Sequence, residues 1–397
     1  MNIGIVTVWD ERGAGYVSKS YFDYLKHHFK VHVFARGYSK NNFALTEEIY
    51  ISKRVSSIKP MSIDKVEFKK WILLNNIETI IFNEQQSWEP ILWCKEWGLK
   101  TIAYIDYYTE ETIDLHNAYD LLLCNTKRHL EAFKNHHNAV YYKWGTDLSL
   151  FIPVKKNNLT PVFLHSCGFS PDRKGTEIVL RSFINLKLEF KLIIHTQIKL
   201  DDFLDYHNLN IERLIRENKL EIVEKTISAP GLYHLADFYL YPTKLEGIGL
   251  TILESISSGL LPVIPNHPPM NEFVPSNYQY KVDVNKQFSR SDGYYWPQIE
   301  VSQTHFNKII VNLIKRHIEG ISSNLRPWAE ENFNLKANFK GLENLISNLN
   351  FKDIDSNTKI KILSFEKKRP INHKKIVYYL NPLINTSYKL FKILKWI

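Results

Sequence analysis

One stretch of the sequence, residues 241–274 (YPTKLEGIGLTILESISSGLLPVIPNHPPMNEFV), constrains the fold most strongly. It predicts a strand end, a glycine-bearing loop, a helix from about Leu250 to Ser258 and a second buried strand, LLPVI. Gly247 and Gly249 free the loop backbone to approach a ligand. A helix that opens directly after such a loop presents N–H groups to an anion, which suits a phosphate.

Two carboxylates bracket this predicted anion site. Glu246 lies in the loop, and Glu254 lies one turn into the helix. A carboxylate cannot bind phosphate, but it accepts hydrogen bonds from hydroxyl groups. The stretch therefore predicts a cradle for a phosphate ester that also carries sugars.

The Glu-x7-Glu spacing of Glu246 and Glu254, within EGIGLTILESISSGLLPVI, resembles the signature of the family-four retaining glycosyltransferases. The resemblance implies a GT-B fold, in which two doubly wound Rossmann-like domains face a cleft, and a nucleotide-sugar donor. It also implies that Glu246 contacts hydroxyls of the donor sugar and Glu254 those of the ribose. Gly247, Ile248, Gly249 and Leu250 would then belong to the donor site.

The rest of the chain agrees with this fold class. Strand-like and helix-like segments alternate over residues 1–150, which is typical of a doubly wound parallel sheet. A loop predicted over DERGAGYVSK follows the first strand, and a helix is predicted around Ser20–His28. By the resemblance, Gly13 and Gly15 in this loop approach the donor phosphates; a plain strand-to-helix turn is the alternative.

The predicted domains follow from these patterns and from the resemblance. We predict an acceptor-side domain over residues 1–148, a nucleotide-sugar-binding domain over 149–325, a closing helix over 326–350 that packs back on the first domain, and a basic amphipathic tail over 351–397.

Basic residues before a helix of the second domain complete the predicted site. The family has a glycine-arginine pair after the strand and a lysine-glycine pair before the helix, the two basic residues gripping the diphosphate. This chain has Lys174 and Gly175, but Phe169 stands where the arginine is expected. Arg173 is the candidate replacement because a guanidinium binds phosphate bidentately. A surface basic pair at a helix start is the alternative.

A second departure from the family pattern lies in TIAYIDYYTEE. The family often has a His-Asp pair at this strand end, with the histidine reaching the transferred sugar; here Ile105 precedes Asp106. Asp106 or Tyr107 is therefore the candidate to replace the histidine, and Asp106 is the predicted catalytic residue; a helix cap or a solvated loop acid is the alternative. We predict Glu246, Lys174 and Asp106 as catalytic residues, and we expect neither a metal ion nor another cofactor.

Charge and composition bear on the partners and on location. The formal net charge is +9, but residues 351–397 hold 11 Lys/Arg against 3 Asp/Glu, so the body is near neutral and nucleic-acid binding is not expected. No apolar run of 18 residues and no secretory signal are evident, and the three cysteines show no disulfide or metal pattern. We expect a cytoplasmic protein.

The tail predicts a peripheral position at the inner face of the cell membrane. On a helical wheel, residues 382–397 place an apolar stripe opposite Lys389, Lys392 and Lys395, after the basic cluster EKKRPINHKK. Residues 366–397 would thus bind an anionic membrane surface; packing on the first domain is the alternative.

The predicted function is transfer of a sugar from a nucleotide-sugar to a glycan or lipid-linked acceptor, in cell-envelope polysaccharide or glycolipid synthesis. The alternatives are another GT-B enzyme, such as a nucleotide-sugar epimerase or a phosphorylase, and a catalytically degenerate nucleotide-sugar-binding protein.

Overall fold

A computed structural model of the protein describes residues 1–37, 41–53, 61–104, 107–155, 158–202, 211–319 and 324–368. Two parallel sheets form two α/β domains, as the alternation of strands and helices predicts. Asp106, the predicted catalytic residue, lies outside the described residues, and so does the predicted membrane-binding tail from residue 369 onwards.

The first domain is built on a seven-stranded parallel sheet in the order β3-β2-β1-β4-β5-β6-β7. Its strands are β1 (Asn2–Thr7), β2 (Lys30–Ala35), β3 (Ile49–Ile51), β4 (Thr79–Asn83), β5 (Lys100–Tyr104), β6 (Leu121–Cys124) and β7 (Ala139–Tyr141). Its helices are α1 (Gly13–Leu25), α2 (Lys65–Leu74), α3 (Glu89–Glu96), α4 (Glu110–Ile113) and α5 (Lys127–Ala132). The central strands β1, β4, β5 and β6 are almost wholly buried, which is why they are rich in consecutive apolar residues.

Helix α1 begins earlier than the sequence predicts. It starts at Gly13, so most of the segment predicted to be a loop is helical. Glycine has a low helix propensity, and two glycines in the first turn conceal this helix start. The turn from β1 to α1 is so tight that a Cβ on Gly15 would lie 1.9 Å from the Asp10 carbonyl oxygen.

The second domain is built on a six-stranded parallel sheet in the order β10-β9-β8-β11-β12-β13. Its strands are β8 (Val162–Gly168), β9 (Lys191–Thr196), β10 (Leu220–Glu224), β11 (Phe238–Leu240), β12 (Leu261–Pro265) and β13 (Lys281–Val282). Its helices are α6 (Pro171–Lys174), α7 (Thr176–Ile184), α8 (Glu212–Arg216), α9 (Leu250–Ser257) and α10 (Gln303–Ile318). An antiparallel hairpin, β14 (Val284–Phe288) and β15 (Gln298–Val301), projects from this domain.

The chain then crosses back to the first domain. The crossing helices are α11 (Arg326–Asn332), α12 (Leu335–Asn338) and α13 (Leu342–Ser347). Phe339 stacks on Tyr21 of α1 with ring centroids 5.0 Å apart, and the Tyr24 hydroxyl donates to Glu343 at 2.7 Å. The predicted boundary at 148/149 falls between β7 and β8 and stays a prediction.

Helix α14 (Ser356–Lys368) follows and packs on the opposite face of the first domain. Ile362 is buried there, and buried Glu366 accepts a hydrogen bond from the Trp88 backbone N–H at 2.8 Å. Just before this helix, the Lys352 backbone N–H donates to Asp120, which also forms a buried ion pair with Lys95. The first 18 residues of the predicted tail are thus part of the folded first domain.

None of the helices within the described ranges combines the length and apolar character needed to cross a bilayer.

Candidate active site

A cavity of about 520 Å³ lies between the two domains, outside the carboxyl ends of both sheets. In each sheet the strand order reverses next to the first strand, at β1/β4 and at β8/β11. Open α/β sheets bind ligands in the crevice at such a switch point. The loops that carry the predicted site residues, after β1, β8 and β11, therefore meet in one place.

The predicted glycine loop and helix form one wall of this cavity. Gly249 adopts the left-handed region at φ +93° and immediately precedes α9, which begins at Leu250. The predicted donor-site residues lining the cavity here are Glu246, Gly247, Ile248, Gly249, Leu250 and Glu254. The loop and helix predicted from the sequence are confirmed, and they bring both glutamates of the Glu-x7-Glu spacing to the same cavity.

Glu246 is the centre of a buried charge cluster. Its Oε1 accepts hydrogen bonds from Arg173 Nη1 at 2.9 Å, from Lys174 Nζ at 2.7 Å and from Thr243 Oγ1 at 2.6 Å. Burial alone raises the pKa of Glu246, but the two cations outweigh it and hold that pKa at about 2. Glu246 is therefore ionised across the physiological range, and two cations share one carboxylate.

Lys174 is held in place by its local backbone. It ends the one-turn helix α6, and Gly175 follows in the left-handed region, where a Cβ would lie 2.3 Å from the Pro242 carbonyl oxygen. Lys174 Nζ donates to the Tyr241 hydroxyl and lies 4.5 Å from the centre of that ring. Burial lowers the pKa of Lys174 to about 8 despite the attraction of Glu246. The ammonium group is thus charged at pH 7 and easily deprotonated in alkali.

Glu254 has a different environment although it lies on the same wall. The Tyr233 hydroxyl donates to its Oε2 at 2.7 Å. Burial raises the pKa of Glu254 to about 7, and the hydrogen bond from Tyr233 and the charge of Lys174 only partly oppose this shift. The two glutamates therefore differ: Glu246 is always ionised, whereas Glu254 titrates near neutrality.

The first domain supplies the opposite wall through the turn between β1 and α1. Gly13 lines the cavity, and a Cβ there would meet nothing within 4 Å, whereas Gly15 is fixed by the tight turn. The two predicted glycines thus differ, since Gly13 leaves space in the cavity and Gly15 permits the turn.

The turn between β1 and α1, together with the first turn of α1, also makes contacts between the two walls. The Ser228 hydroxyl donates to Glu11 at 2.6 Å, and the Ala229 backbone N–H donates to the Tyr16 hydroxyl at 3.3 Å. Ser228 and Ala229 belong to the loop that follows β10. Glu11, Tyr16 and Ala229 also line an adjoining cavity of about 1070 Å³, which extends toward the interdomain connection.

The hairpin of β14 and β15 closes the far end of the cavity. Its loop carries Asp292, whose carbonyl oxygen accepts from the Tyr107 hydroxyl at 3.3 Å, and Tyr294, whose ring centroid lies 5.5 Å from that of Tyr107. Arg290 of this loop lines the cavity with both tyrosines. No role for this hairpin was predicted from the sequence.

Other residues that contact the predicted site were missed. The charged groups of the site are bonded to three hydroxyls, those of Tyr233, Tyr241 and Thr243. Two of these residues lie within residues 241–274, and Tyr233 lies shortly before them. In the sequence the two tyrosines look like ordinary core residues and the threonine like a loop residue, and nothing there indicates that their hydroxyls contact charged groups. Within the described residues, no group of three or more His, Cys, Asp or Glu side chains is arranged to hold a metal ion.

Comparison with known proteins identifies the architecture. No protein-family profile matches the sequence, and no curated protein matches it either. The structure is similar to sucrose-phosphate synthase from Thermosynechococcus elongatus (TM-score 0.65, 14% identity, 88% of this chain and 99% of that one). It is also similar to HepE of Anabaena in complex with UDP (TM-score 0.66, 13% identity, 88% and 100%).

A third similar structure is WaaG, a glycosyltransferase involved in lipopolysaccharide biosynthesis (TM-score 0.60, 12% identity, 87% of this chain and 100% of that one). All three likenesses extend over nearly the whole of the other chain. They show that this chain has the GT-B fold.

Proposed function

We propose that this protein is a retaining glycosyltransferase that moves a sugar from a nucleotide-sugar to a glycan or lipid-linked acceptor. The observation that carries the proposal is the binding of two cations, Arg173 and Lys174, to the buried carboxylate of Glu246 on the cavity wall. The carboxylate of Glu246 neutralises only one of the two cations, so this cluster keeps a net positive charge toward a diphosphate. Neutral sugars alone would not require such a site.

The cluster suggests how the leaving group is stabilised. Negative charge develops on the diphosphate as the sugar departs, and fixed cations at that point lower the barrier. Lys174 and Arg173 are already held by Glu246, so little reorganisation is needed when the donor arrives. We assign both cations to the diphosphate, with Glu246 positioning them and contacting the transferred sugar.

Glu254 is assigned to the ribose of the donor. It lies at the cavity wall on helix α9, and it is bound by Tyr233 through one carboxylate oxygen. A carboxylate can accept hydrogen bonds from two vicinal hydroxyls, which a ribose presents. Gly13 lies across the cavity and leaves space for the donor phosphates.

Retention without a metal ion is the finer part of the proposal. With two cations on the diphosphate, charge neutralisation does not require a divalent ion. In the family that the sequence resembles, a donor phosphate oxygen helps to deprotonate the acceptor on the same face of the sugar, so no protein nucleophile is needed. Asp106 stays a candidate for a contact with the transferred sugar.

The proposed acceptor belongs to cell-envelope polysaccharide or glycolipid synthesis, and the proposed location is the inner face of the cell membrane. The similarity to WaaG, which acts in lipopolysaccharide biosynthesis, supports this class of acceptor. The basic, partly apolar sequence after residue 368 supports the location.

A binding screen followed by a transfer assay tests the proposal. We expect UDP, GDP or ADP to raise the melting temperature; UDP comes first because a similar structure contains it. With the matching sugar donor, nucleoside diphosphate should be released faster when an acceptor mixture is added. No binding of any nucleotide would refute the donor assignment. Binding without acceptor-dependent release would favour a degenerate binding protein.

A further inference from the structure

Helix α2 leaves large apolar side chains in solvent on one face. Val66, Leu73 and Leu74 are 78%, 64% and 71% exposed. At about 100° per residue, Val66 and Leu73 point within roughly 20° of each other, and Leu74 lies on the same half of the helix. Lys69 and Lys70, both exposed, lie among them. The outer face of α2 is thus apolar with a basic surround.

The fold does not need these apolar residues for its core. On the opposite side of α2, Phe68, Trp71 and Ile72 are buried and fill the space against the sheet. Exposed apolar side chains grouped on one face, unlike single scattered ones, indicate a surface that contacts something else.

Helix α14 repeats the pattern. Its Ile362 is buried on the first domain, whereas Ile360 and Leu363 are 65% and 45% exposed on the other side. Lys359 and Lys367 are exposed beside them. Two helices that are far apart in the sequence therefore present the same combination of apolar and basic side chains.

Helix α3 belongs to the same helical layer, because α2, α3 and α14 all pack on the second core cluster of the first domain. Trp93 of α3 and Trp97, the residue directly after this helix, are only partly buried. The Lys65 ammonium lies 5.4 Å from the Trp93 ring centre, and that of Lys69 lies 5.3 Å from the Trp97 ring centre. Tryptophan and lysine together are typical of the boundary between water and lipid. We call the outer faces of α2, α3 and α14 the docking layer.

We propose that the docking layer binds the surface of an anionic phospholipid membrane. Its lysines exclude a cationic occupant, and residues 369–397, which continue directly from α14, hold six Lys/Arg and no Asp/Glu. The basic tail is thus repelled by the docking layer, whereas both are attracted to anionic lipid. The apolar side chains then enter the headgroup boundary, as those of an interfacial amphipathic helix do.

The position of the docking layer fits an acceptor held in the membrane, a step that rests on the proposed function. Glu366 near the end of α14 is bonded to the Trp88 backbone, and Glu84 and Gln86, a few residues before Trp88, line the cavity. The end of the layer from which the tail departs therefore borders the first-domain wall of the cavity. A lipid-linked acceptor would enter the cavity from this edge.

Vesicle sedimentation of the full-length chain tests the docking layer without any donor or acceptor. The triple variant Val66→Glu/Leu73→Glu/Leu74→Glu should bind phosphatidylglycerol vesicles at least fivefold more weakly than the unmodified chain. The matched control changes three exposed apolar residues of the second domain: Leu159→Glu/Ile215→Glu/Ile318→Glu. This control adds the same charge and should bind as the unmodified chain does. None of the three chains should bind neutral phosphatidylcholine vesicles.

Three results would overturn the inference. The first is no binding of the unmodified chain to phosphatidylglycerol at low salt, and the second is equal loss in the two triple variants. The third is unchanged binding of the α2 triple variant, which would assign membrane contact to the tail alone. If the unmodified chain does not bind vesicles and is a dimer that becomes a monomer in the α2 triple variant, the docking layer is instead a contact surface between two copies of this chain. Melting temperature and nucleotide binding, measured on all three chains, separate these outcomes from unfolding and from failure of the proposed function.

Discussion

The two walls of the interdomain cavity are built in different ways. On the second-domain wall, buried Glu246 is bonded to Lys174, whose side chain is 13% exposed. On the first-domain wall, Glu11 and Tyr16 are partly exposed, and each is bonded to the second domain across the cavity. One wall is therefore organised by bonds within itself, and the other by bonds to its neighbour.

This difference has a physical cause. A buried charge must be paired, because an unpaired charge in the interior costs several kcal/mol. Glu246 has both of its cationic partners, Arg173 and Lys174, within the second domain. The second-domain wall consequently has its final geometry before a ligand arrives. The bonds of Glu11 and Tyr16 lie at the cavity rim, where water can replace them at little cost. We expect the first-domain wall to move when the donor binds and the second-domain wall to stay fixed.

Removing the lysine of the fixed wall should have the largest effect. Lys174→Ala leaves Arg173 as the remaining cation on Glu246, and we expect about a 100-fold loss of kcat/KM, or about 2.7 kcal/mol. Lys244→Ala is the control, because Lys244 lies in the same loop as Glu246 but pairs with Asp172 and does not line the cavity. The transfer assay should show less than a twofold change in that control. A similar loss in both variants would contradict a specific role of Lys174 in catalysis.

Removing the second glutamate of this wall should weaken nucleotide binding. We expect Glu254→Ala to raise the Kd for nucleoside diphosphate roughly 30-fold, or about 2 kcal/mol, which is within the 1.5–3 kcal/mol of a hydrogen bond to a charged group. Tyr233→Phe is the companion variant, because it removes only the hydroxyl that positions the carboxylate. Calorimetry should show a smaller loss for Tyr233→Phe. If Glu254→Ala binds within twofold of the unmodified protein, the ribose assignment is wrong.

The pH dependence of kcat/KM should follow the ionisation of Glu254 and Lys174 on the second-domain wall. The pKa of Glu254 is raised to about 7, so its carboxylate is lost as the pH falls through that value. The pKa of Lys174 is lowered to about 8, so its charge is lost as the pH rises through that value. We expect a bell-shaped profile with its maximum between the two values and a decline of roughly sixfold by pH 6. In Glu254→Gln the acidic limb should disappear while the alkaline limb remains.

The second-domain wall was easier to predict from the sequence than the first-domain wall. The reason is how far apart the contacting residues lie along the chain. Glu246 and Glu254 share one loop and helix, and Arg173 and Lys174 are adjacent, so short motifs contain them. The GT-B fold was predictable for a similar reason, because buried parallel strands and the helices between them each leave a local pattern.

The first-domain wall depends on contacts that no local pattern records. Glu11 and Ser228 are 217 positions apart, and Tyr107 meets the hairpin residue Asp292 across 185 positions. The glycines at the start of α1 also concealed the helix that carries Tyr16. The sequence gives the residue types at these positions, but only the packing of the two domains brings them together.

The smallest expected effect belongs to the contacts between the walls. Glu11→Ala removes the acceptor of the Ser228 hydroxyl, and Ser228→Ala removes the donor of the same 2.6 Å bond. Because this bond is exposed to solvent, each change should raise the nucleotide Kd only about twofold, near the lower end of the 0.5–1.5 kcal/mol of an ordinary hydrogen bond. The double variant should be no worse than either single one, since both remove one bond. A tenfold loss in Glu11→Ala alone, with Ser228→Ala unaffected, would show that Glu11 contacts the donor itself. The first-domain wall would then be as much a part of the donor site as the second, and the contrast between the two walls would fail.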